Sequence, residues 1–256
     1  DDDDCDGILN LFDCITDETT SQIFMGDKDC DGIIDDPISS NYEYTCAIRF
    51  DNSVVCWGKN QYGQSDPPDG LFVDITSGEK HSCGINLDAT VTCWGISDGG
   101  SYDYGQVTDT PNDYFVDISA GRFHTCGIRT DGSATCWGID HGRSFDSGQV
   151  TDTPNGSFVD ISAVFVQTCG IKTDGTVECW GDNWYGQSSP PNGSFVDISA
   201  GKNHTCGIKM DGSVECWGSD VYGQSNTDHD GDGILTEEDC DDETAFDQDC
   251  DGILDH

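Results

Sequence analysis

Apolar residues in this chain come in short runs, none long enough for a membrane-spanning helix. Four runs open with Phe-Val-Asp-Ile, at Phe72, Phe115, Phe158 and Phe195, and each reads as a strand. A second pattern follows each of them and also occurs once earlier in the chain. Its last copy is His204-Thr-Cys-Gly-Ile-Lys-Met-Asp-Gly-Ser-Val-Glu-Cys-Trp-Gly218. Met210-Asp211-Gly212 fits a three-residue hairpin loop with Gly212 where positive φ is needed, and Lys209 and Ser213 close it. Counting outward, Ile208 faces Val214, Gly207 faces Glu215 and Cys206 faces Cys216. Alternation puts the two cysteines at a non-hydrogen-bonded pair, where Cα atoms come closest. A bridge needs Cα atoms roughly 4.4–6.8 Å apart, so a disulfide is expected there.

The same register predicts Cys46–Cys56, Cys83–Cys93, Cys126–Cys136 and Cys169–Cys179 beside Cys206–Cys216. Asn52, Ala89, Gly132 and Gly175 stand where Gly212 does; Ala89 breaks the pattern and is expected to be strained or differently looped. Zinc is a poorer reading of these pairs, because zinc sites favour closer cysteine spacing with partners nearby. A linker with Tyr-Gly-Gln follows each hairpin, at Tyr62, Tyr104, Tyr185 and Tyr222, with Ser147 replacing the tyrosine in the third unit. First cysteines follow one another at 37, 43, 43 and 37 residues. The longer units carry inserts near Gly99-Gly100 and Arg143-Ser144. Periods near 40 with several short strands indicate propeller blades or a β-solenoid. The stretch Ile38 to Tyr44, ahead of Cys46, matches the strand pattern poorly, so the array is expected to be one strand short, with an edge open to other chains.

The phrase His-Thr-Cys-Gly-Ile-Lys-x-Asp-Gly-Ser-Val-Glu-Cys-Trp-Gly, then Tyr-Gly-Gln, resembles the repeat of the regulator of chromosome condensation family. The resemblance covers about three quarters of the chain. It implies an all-β, propeller-like array, here of about five short blades with disulfide-bridged hairpins, where that family commonly has seven. It implies little about activity, because such propellers host unrelated roles. Nuclear exchange-factor activity does not suit a disulfide-rich, acidic chain.

Both ends differ from the middle. The division is an Asp/Cys-rich module at 1–36, the repeat domain at 37–225 and a second Asp/Cys-rich module at 226–256. Asp2, Asp4, Asp6, Ile8, Asn10 and Asp13 fit a twelve-residue calcium loop. Oxygens fall at positions 1, 3, 5, 9 and 12, the position-7 carbonyl serves as a ligand, and Gly7 sits at the turn. Asp228, Asp230, Asp232, Ile234, Thr236 and Asp239 repeat that frame around Gly233. Asp replaces the bidentate Glu at position 12, which lowers the expected affinity. Second loops, Asp27, Asp29, Asp31, Ile33 and Asp35, and Asp247, Asp249, Asp251, Ile253 and Asp255, keep positions 1 to 9 without the last acid; Ile38 stands at that place in the first. The modules resemble thrombospondin type 3 repeats and the Asp-Cys-Asp-Asp modules of bacterial surface proteins, as at Asp239-Cys240-Asp241-Asp242. Structural Ca2+ is the expected cofactor, and an all-oxygen donor set disfavours copper and other transition metals. Matching the two modules pairs Cys14 with Cys30 and Cys240 with Cys250 and leaves Cys5 over. Cys5 with Cys14 is the alternative, leaving Cys30.

Composition then bounds the role. The chain has 256 residues, 15 cysteines and a formal charge of −40. Regularly spaced cysteines in that number indicate an oxidising, extracellular or cell-surface setting. The charge excludes most nucleic-acid roles, which need a basic footprint. It also calls for neutralising cations. Asp1 reads as a processed or trimmed end. His81, His124 and His204 share a slot with Gln167 and Tyr44, a tolerance that suits scaffold more than catalysis. Trp57, Trp94, Trp137, Trp180 and Trp217 read as packing between blades, while Trp184 lies outside that register. Asn155, Asn192 and Asn203 head N-glycosylation sequons. No catalytic set stands apart from the repeats, so no enzyme is expected. Two functional classes remain. One is a structural protein assembling head to tail with itself into a fibre or layer, with Cys5 and the acidic ends in the contact. The other is a monomeric secreted binding module, adhesin- or inhibitor-like, using inserts Ser101-Tyr102-Asp103-Tyr104 and His141 to Phe145.

Overall fold

The computed structural model describes residues 38–41, 43–140, 142 and 145–224. They form five three-stranded antiparallel sheets, each in the order of the chain. The first is β1 (Ile38–Ser40), β2 (Tyr44–Ile48) and β3 (Val54–Gly58). Sheet two is β4 (Phe72–Ser77), β5 (His81–Asn86) and β6 (Val91–Gly95). Sheet three is β7 (Phe115–Ala120), β8 (His124–Arg129) and β9 (Ala134–Gly138). Sheet four is β10 (Phe158–Val164), β11 (Gln167–Lys172) and β12 (Val177–Gly181). Sheet five is β13 (Phe195–Ala200), β14 (His204–Lys209) and β15 (Val214–Gly218).

The hairpins have the register that alternation requires. Cys206 faces Cys216, Gly207 faces Glu215 and Ile208 faces Val214. The Lys209 amide donates to the Ser213 carbonyl at 2.8 Å, and the Gly212 amide to the Lys209 carbonyl at 2.9 Å. All five hairpin disulfides are present. Their Cα atoms are 4.0–4.1 Å apart, shorter than the range expected, because they sit at the narrow pair of the ladder. Ala89 keeps the common loop and takes φ 66°, the strained outcome of the two, at a cost of about 1 kcal/mol. In each loop an aspartate such as Asp211 accepts from the Ser213 amide (3.0 Å) and hydroxyl (2.7 Å). Those bonds hold its carboxyl below the usual range.

One expectation is corrected. The first sheet is not a strand short: Ile38, Ser39 and Ser40 pair with Ala47, Cys46 and Thr45. Ile198, Ser199 and Ala200 pair with Gly207, Cys206 and Thr205 in the same way. Ile-Ser-Ser therefore stands where the other sheets have Ile-Ser-Ala or Ile-Thr-Ser. What β1 lacks is the Phe-Val-Asp start, which elsewhere carries a register shift between Phe and Asp.

The core lies between sheets rather than within one. Each apolar cluster combines the first bridge cysteine and an isoleucine of one sheet with Phe, Ile and Trp of the next. Cys126 and Ile128 thus meet Phe158, Ile161 and Trp180. The aromatic pairs Phe72–Trp94, Phe115–Trp137, Phe158–Trp180 and Phe195–Trp217 hold centroids 5.8–6.2 Å apart. Each buried aromatic or branched side chain contributes about 2–3 kcal/mol. In the second to fifth sheets a glycine in the middle strand makes room for the phenylalanine: a Cβ on Gly84 would lie 2.5 Å from the Phe72 ring. Four such cores join the five sheets. Among the described residues none joins the fifth sheet to the first.

Candidate interaction faces

Polar contacts at the junctions between sheets repeat as strictly as the apolar ones. The side chain that opens each middle strand reaches the hydroxyl of the next sheet. Tyr44 Oη lies 2.9 Å from Ser82 Oγ. His81 Nε2 lies 2.8 Å from Thr125 Oγ1, and His124 Nε2 lies 2.8 Å from Thr168 Oγ1. Gln167 Nε2 donates to Thr205 Oγ1 at 3.0 Å. The tolerance of this slot for Tyr, His and Gln follows: each places one polar atom at that reach.

Two further rails run beside it. Four tryptophan Nε1 groups donate to the carbonyl of the linker glutamine before their sheet: Trp94 to Gln64, Trp137 to Gln106, Trp180 to Gln149 and Trp217 to Gln187, at 2.9–3.2 Å. First strands are stitched by amide-to-hydroxyl bonds: Ser77 to Ser39, Ala120 to Thr76, Ala163 to Ser119 and Ala200 to Ser162, at 2.8–3.0 Å.

Burial disfavours the charged imidazolium. It pulls His81 down to about 4, and His124 to about 3 with the neighbouring His81 adding to it. Both folded values lie below the ordinary 6.5, so the unfolded chain takes up protons that the folded one refuses. Stability is therefore lost as pH falls through 6.5, levelling below the folded values. The expected loss at pH 4 is roughly 3 kcal/mol for each histidine. The double variant H81Q/H124Q, with the side chain that Gln167 already uses, is expected to lose this component. Melting temperatures of both proteins between pH 7 and 4 check it, since all other groups titrate in common; parallel profiles would remove the histidines from the account.

The outer sheets present the unmatched halves of these rails. On the first sheet, Trp57 is 50% exposed and Ile38 58%, whereas Trp94, Trp137, Trp180 and Trp217 are buried. Thr45 Oγ1 lies 3.1 Å from Ser40 Oγ of its own sheet. On the fifth sheet, Ile208 and Val214 are each 38% exposed, and Cys206 and His204 are half-buried where their counterparts are closed over. Gln224 already has the local linker bond, Tyr222 amide to Gln224 Oε1 at 2.7 Å. It is only half-buried, while Gln64, Gln106, Gln149 and Gln187 are fully buried.

The inserts build a second surface. Tyr102 stacks on Lys80, whose Nζ lies 3.0 Å from the ring centroid, with Tyr62 on the other side at 4.8 Å. Burial lowers the Lys80 pKa. Phe145 packs on Phe123 and Phe165 around the Arg122 guanidinium, which also pairs with Glu79. A cavity of about 270 Å3 beside Tyr62 is lined by Gln61, Gly95, Ile96, Ser97 and Asp98. Trp184 is 84% exposed. Sequence spacing could not reveal these cation–aromatic stacks, because Lys80 and Tyr102, like Arg122 and Phe145, stand on opposite sides of a hairpin, more than twenty residues apart.

Among the described residues no group of His, Cys, Asp or Glu is arranged to hold a metal. Every proposed calcium ligand, with Cys5, Cys14, Cys30, Cys240 and Cys250, lies outside the described residues; Ile38, at the last place of one loop frame, belongs to β1. Of the sequon asparagines, Asn155 and Asn192 are exposed and Asn203 half-buried. No helix among the described residues is long and apolar enough to cross a membrane.

Residues 37–64, 115–145 and 195–224 match the family described as regulator of chromosome condensation (RCC1) repeat. No curated protein matches the chain in sequence. The entire ectodomain of the Physcomitrella patens receptor kinase CR4 superposes with a TM-score of 0.58 at 29% identity, covering 71% of this chain and 50% of that one. Prp20p from Saccharomyces cerevisiae, described with its binding to Gsp1p and histones, gives 0.57 at 16% identity, covering 76% and 59%. Human WBSCR16 gives 0.58 at 14% identity, covering 71% and 61%. The chain thus spans about half to three fifths of these structures. Repeats and neighbours together support an RCC1-like β-propeller architecture.

Proposed function

We propose that the chain is an extracellular structural protein that joins copies of itself head to tail, with Ca2+ held by its two acidic end modules. The observation that carries this reading is the open array, whose two outer sheets expose complementary halves of one repeated junction. A contact between different faces that does not close produces a filament. Five disulfides and the receptor ectodomain among the neighbours support the extracellular setting. Calcium in the loops at 2–13, 27–35, 228–239 and 247–255 would offset part of the −40 charge and stiffen the ends. Asn155 and Asn192 are the sequons best exposed for a glycan.

Electron microscopy of the extracellular material with and without a chelator tests this. Fibres that loosen or shorten on chelation are expected, and single particles indifferent to calcium would overturn the proposal. A second reading, a monomeric binding module, is favoured by the Lys80–Tyr102 and Arg122–Phe145 surface and by the likeness to a receptor ectodomain. Single particles would transfer the weight to it.

A further inference from the structure

The head-to-tail reading leaves open which surfaces meet, and the repeated junction answers that. Between consecutive sheets the same contacts recur four times: slot side chain to hydroxyl, tryptophan to linker carbonyl, strand amide to hydroxyl, and bridge cysteine under an aromatic. Each contact takes one half from the earlier sheet and one from the later. The fifth sheet retains the earlier half of every one. His204 occupies the slot, Gln224 supplies the linker carbonyl and Ser199 the strand hydroxyl. Cys206, Ile208 and Val214 form the apolar floor. The first sheet retains the later half: Thr45 is the hydroxyl, Trp57 the indole, the Ser40 amide the strand donor and Ile38 the apolar contact.

We infer, resting on the head-to-tail proposal, that a second copy docks its first sheet onto the fifth sheet of the one before, as one more blade junction. In it Thr45 meets His204, and Trp57 covers Ile208 while donating to the Gln224 carbonyl. The occupant is a second copy because both halves follow one register on one chain. An unrelated partner would have to reproduce threonine, indole and isoleucine at those same spacings. Because β1 has no phenylalanine at the place of Phe195, this junction has one aromatic fewer than the internal ones. It is therefore weaker than they are and separates before the blades do. That difference lets whole copies exchange without unfolding.

The test uses the full chain with calcium present and two face-blocking variants. Trp57→Asp spoils only the first sheet, and Ile208→Asp only the fifth. Both side chains are exposed in the single copy, so each variant is expected to melt close to the parent. In sedimentation velocity the parent should grow with concentration, and each variant alone should self-associate roughly 30-fold more weakly or worse. Mixed one to one, they should form heterodimers and nothing longer, since one good face remains on each. His204→Gln should keep association, as Gln167 serves the same slot, and His204→Ala should weaken it. Variants that polymerise like the parent would overturn this junction while leaving assembly through the acidic ends standing. A mixture that stays monomeric would show that these faces do not pair. A parent that is monomeric at all concentrations would overturn both this junction and the assembly it rests on; burial of Trp57 in that monomer, read by its fluorescence, would identify closure of the ring within one chain.

Discussion

Complete reduction of the hairpin bridges is expected to unfold the array near room temperature, while the oxidised protein stays folded. Each bridge joins residues ten apart. A loop of that size contributes about 3 kcal/mol by restricting the unfolded chain. Five such contributions approach the whole stability of an ordinary domain, about 5–15 kcal/mol. The thin layers of this fold cannot replace them with a deep core. Cys46, Cys83, Cys126 and Cys169 have no solvent exposure, and each lies under the aromatic pair of the next sheet. Among the described residues nothing covers Cys206 in this way, and it is half-buried. Under mild reductant the Cys206–Cys216 bridge is therefore expected to open first. Graded reduction, alkylation and mass spectrometry would follow the order, and circular dichroism the loss of structure. Survival of the native signal with all ten hairpin thiols alkylated would show that blade packing suffices. Opening of Cys126–Cys136 before Cys206–Cys216 would contradict the open end.

The second large effect compares one repeat position in two sheets. Trp137→Ala is expected to cost about 3–5 kcal/mol, because a buried aromatic leaves a cavity that neighbouring strands cannot fill. Trp137 is 3% exposed, packs against Phe115 with centroids 5.8 Å apart, and donates to the Gln106 carbonyl at 3.2 Å. Trp57→Ala, the same substitution in the same Cys-Trp-Gly phrase, is expected to cost about 1 kcal/mol or less in the single copy, since half of that side chain already faces water. Urea unfolding of the two variants gives the comparison directly. Equal losses would mean that Trp57 is covered in solution, by ring closure or by another copy. The concentration dependence of the loss separates those two.

Much of this could be read along the chain because a hairpin is local. Loop length and alternation determine which residues face each other, so the pairing of Cys206 with Cys216 and the bridges follow from counting. Recurrence places the tryptophans between blades; four of them are there, and Trp57 is half-exposed because among the described residues no sheet precedes its own. The three residues of β1 carry little pattern, and Ile-Ser-Ser at the right distance from Cys46 is the one sign of that strand. Its substitutions mark the histidine slot as scaffold, but its hydroxyl partner leaves no local sign, since His81 and Thr125 are 44 residues apart.

The sequence by itself determined the repeat, by recurrence of one phrase, and its registers, its bridges and the acidic character of its ends, which are properties of neighbours within about a dozen residues. The tertiary structure alone decided which sheet covers which, and hence that His81 and His124 are buried while, among the described residues, no sheet covers the outer faces of the first and fifth. Those outcomes depend on stacking one unit on the next. Identical phrases such as Cys-Trp-Gly acquire different environments from their place in the row, and no local pattern encodes that place.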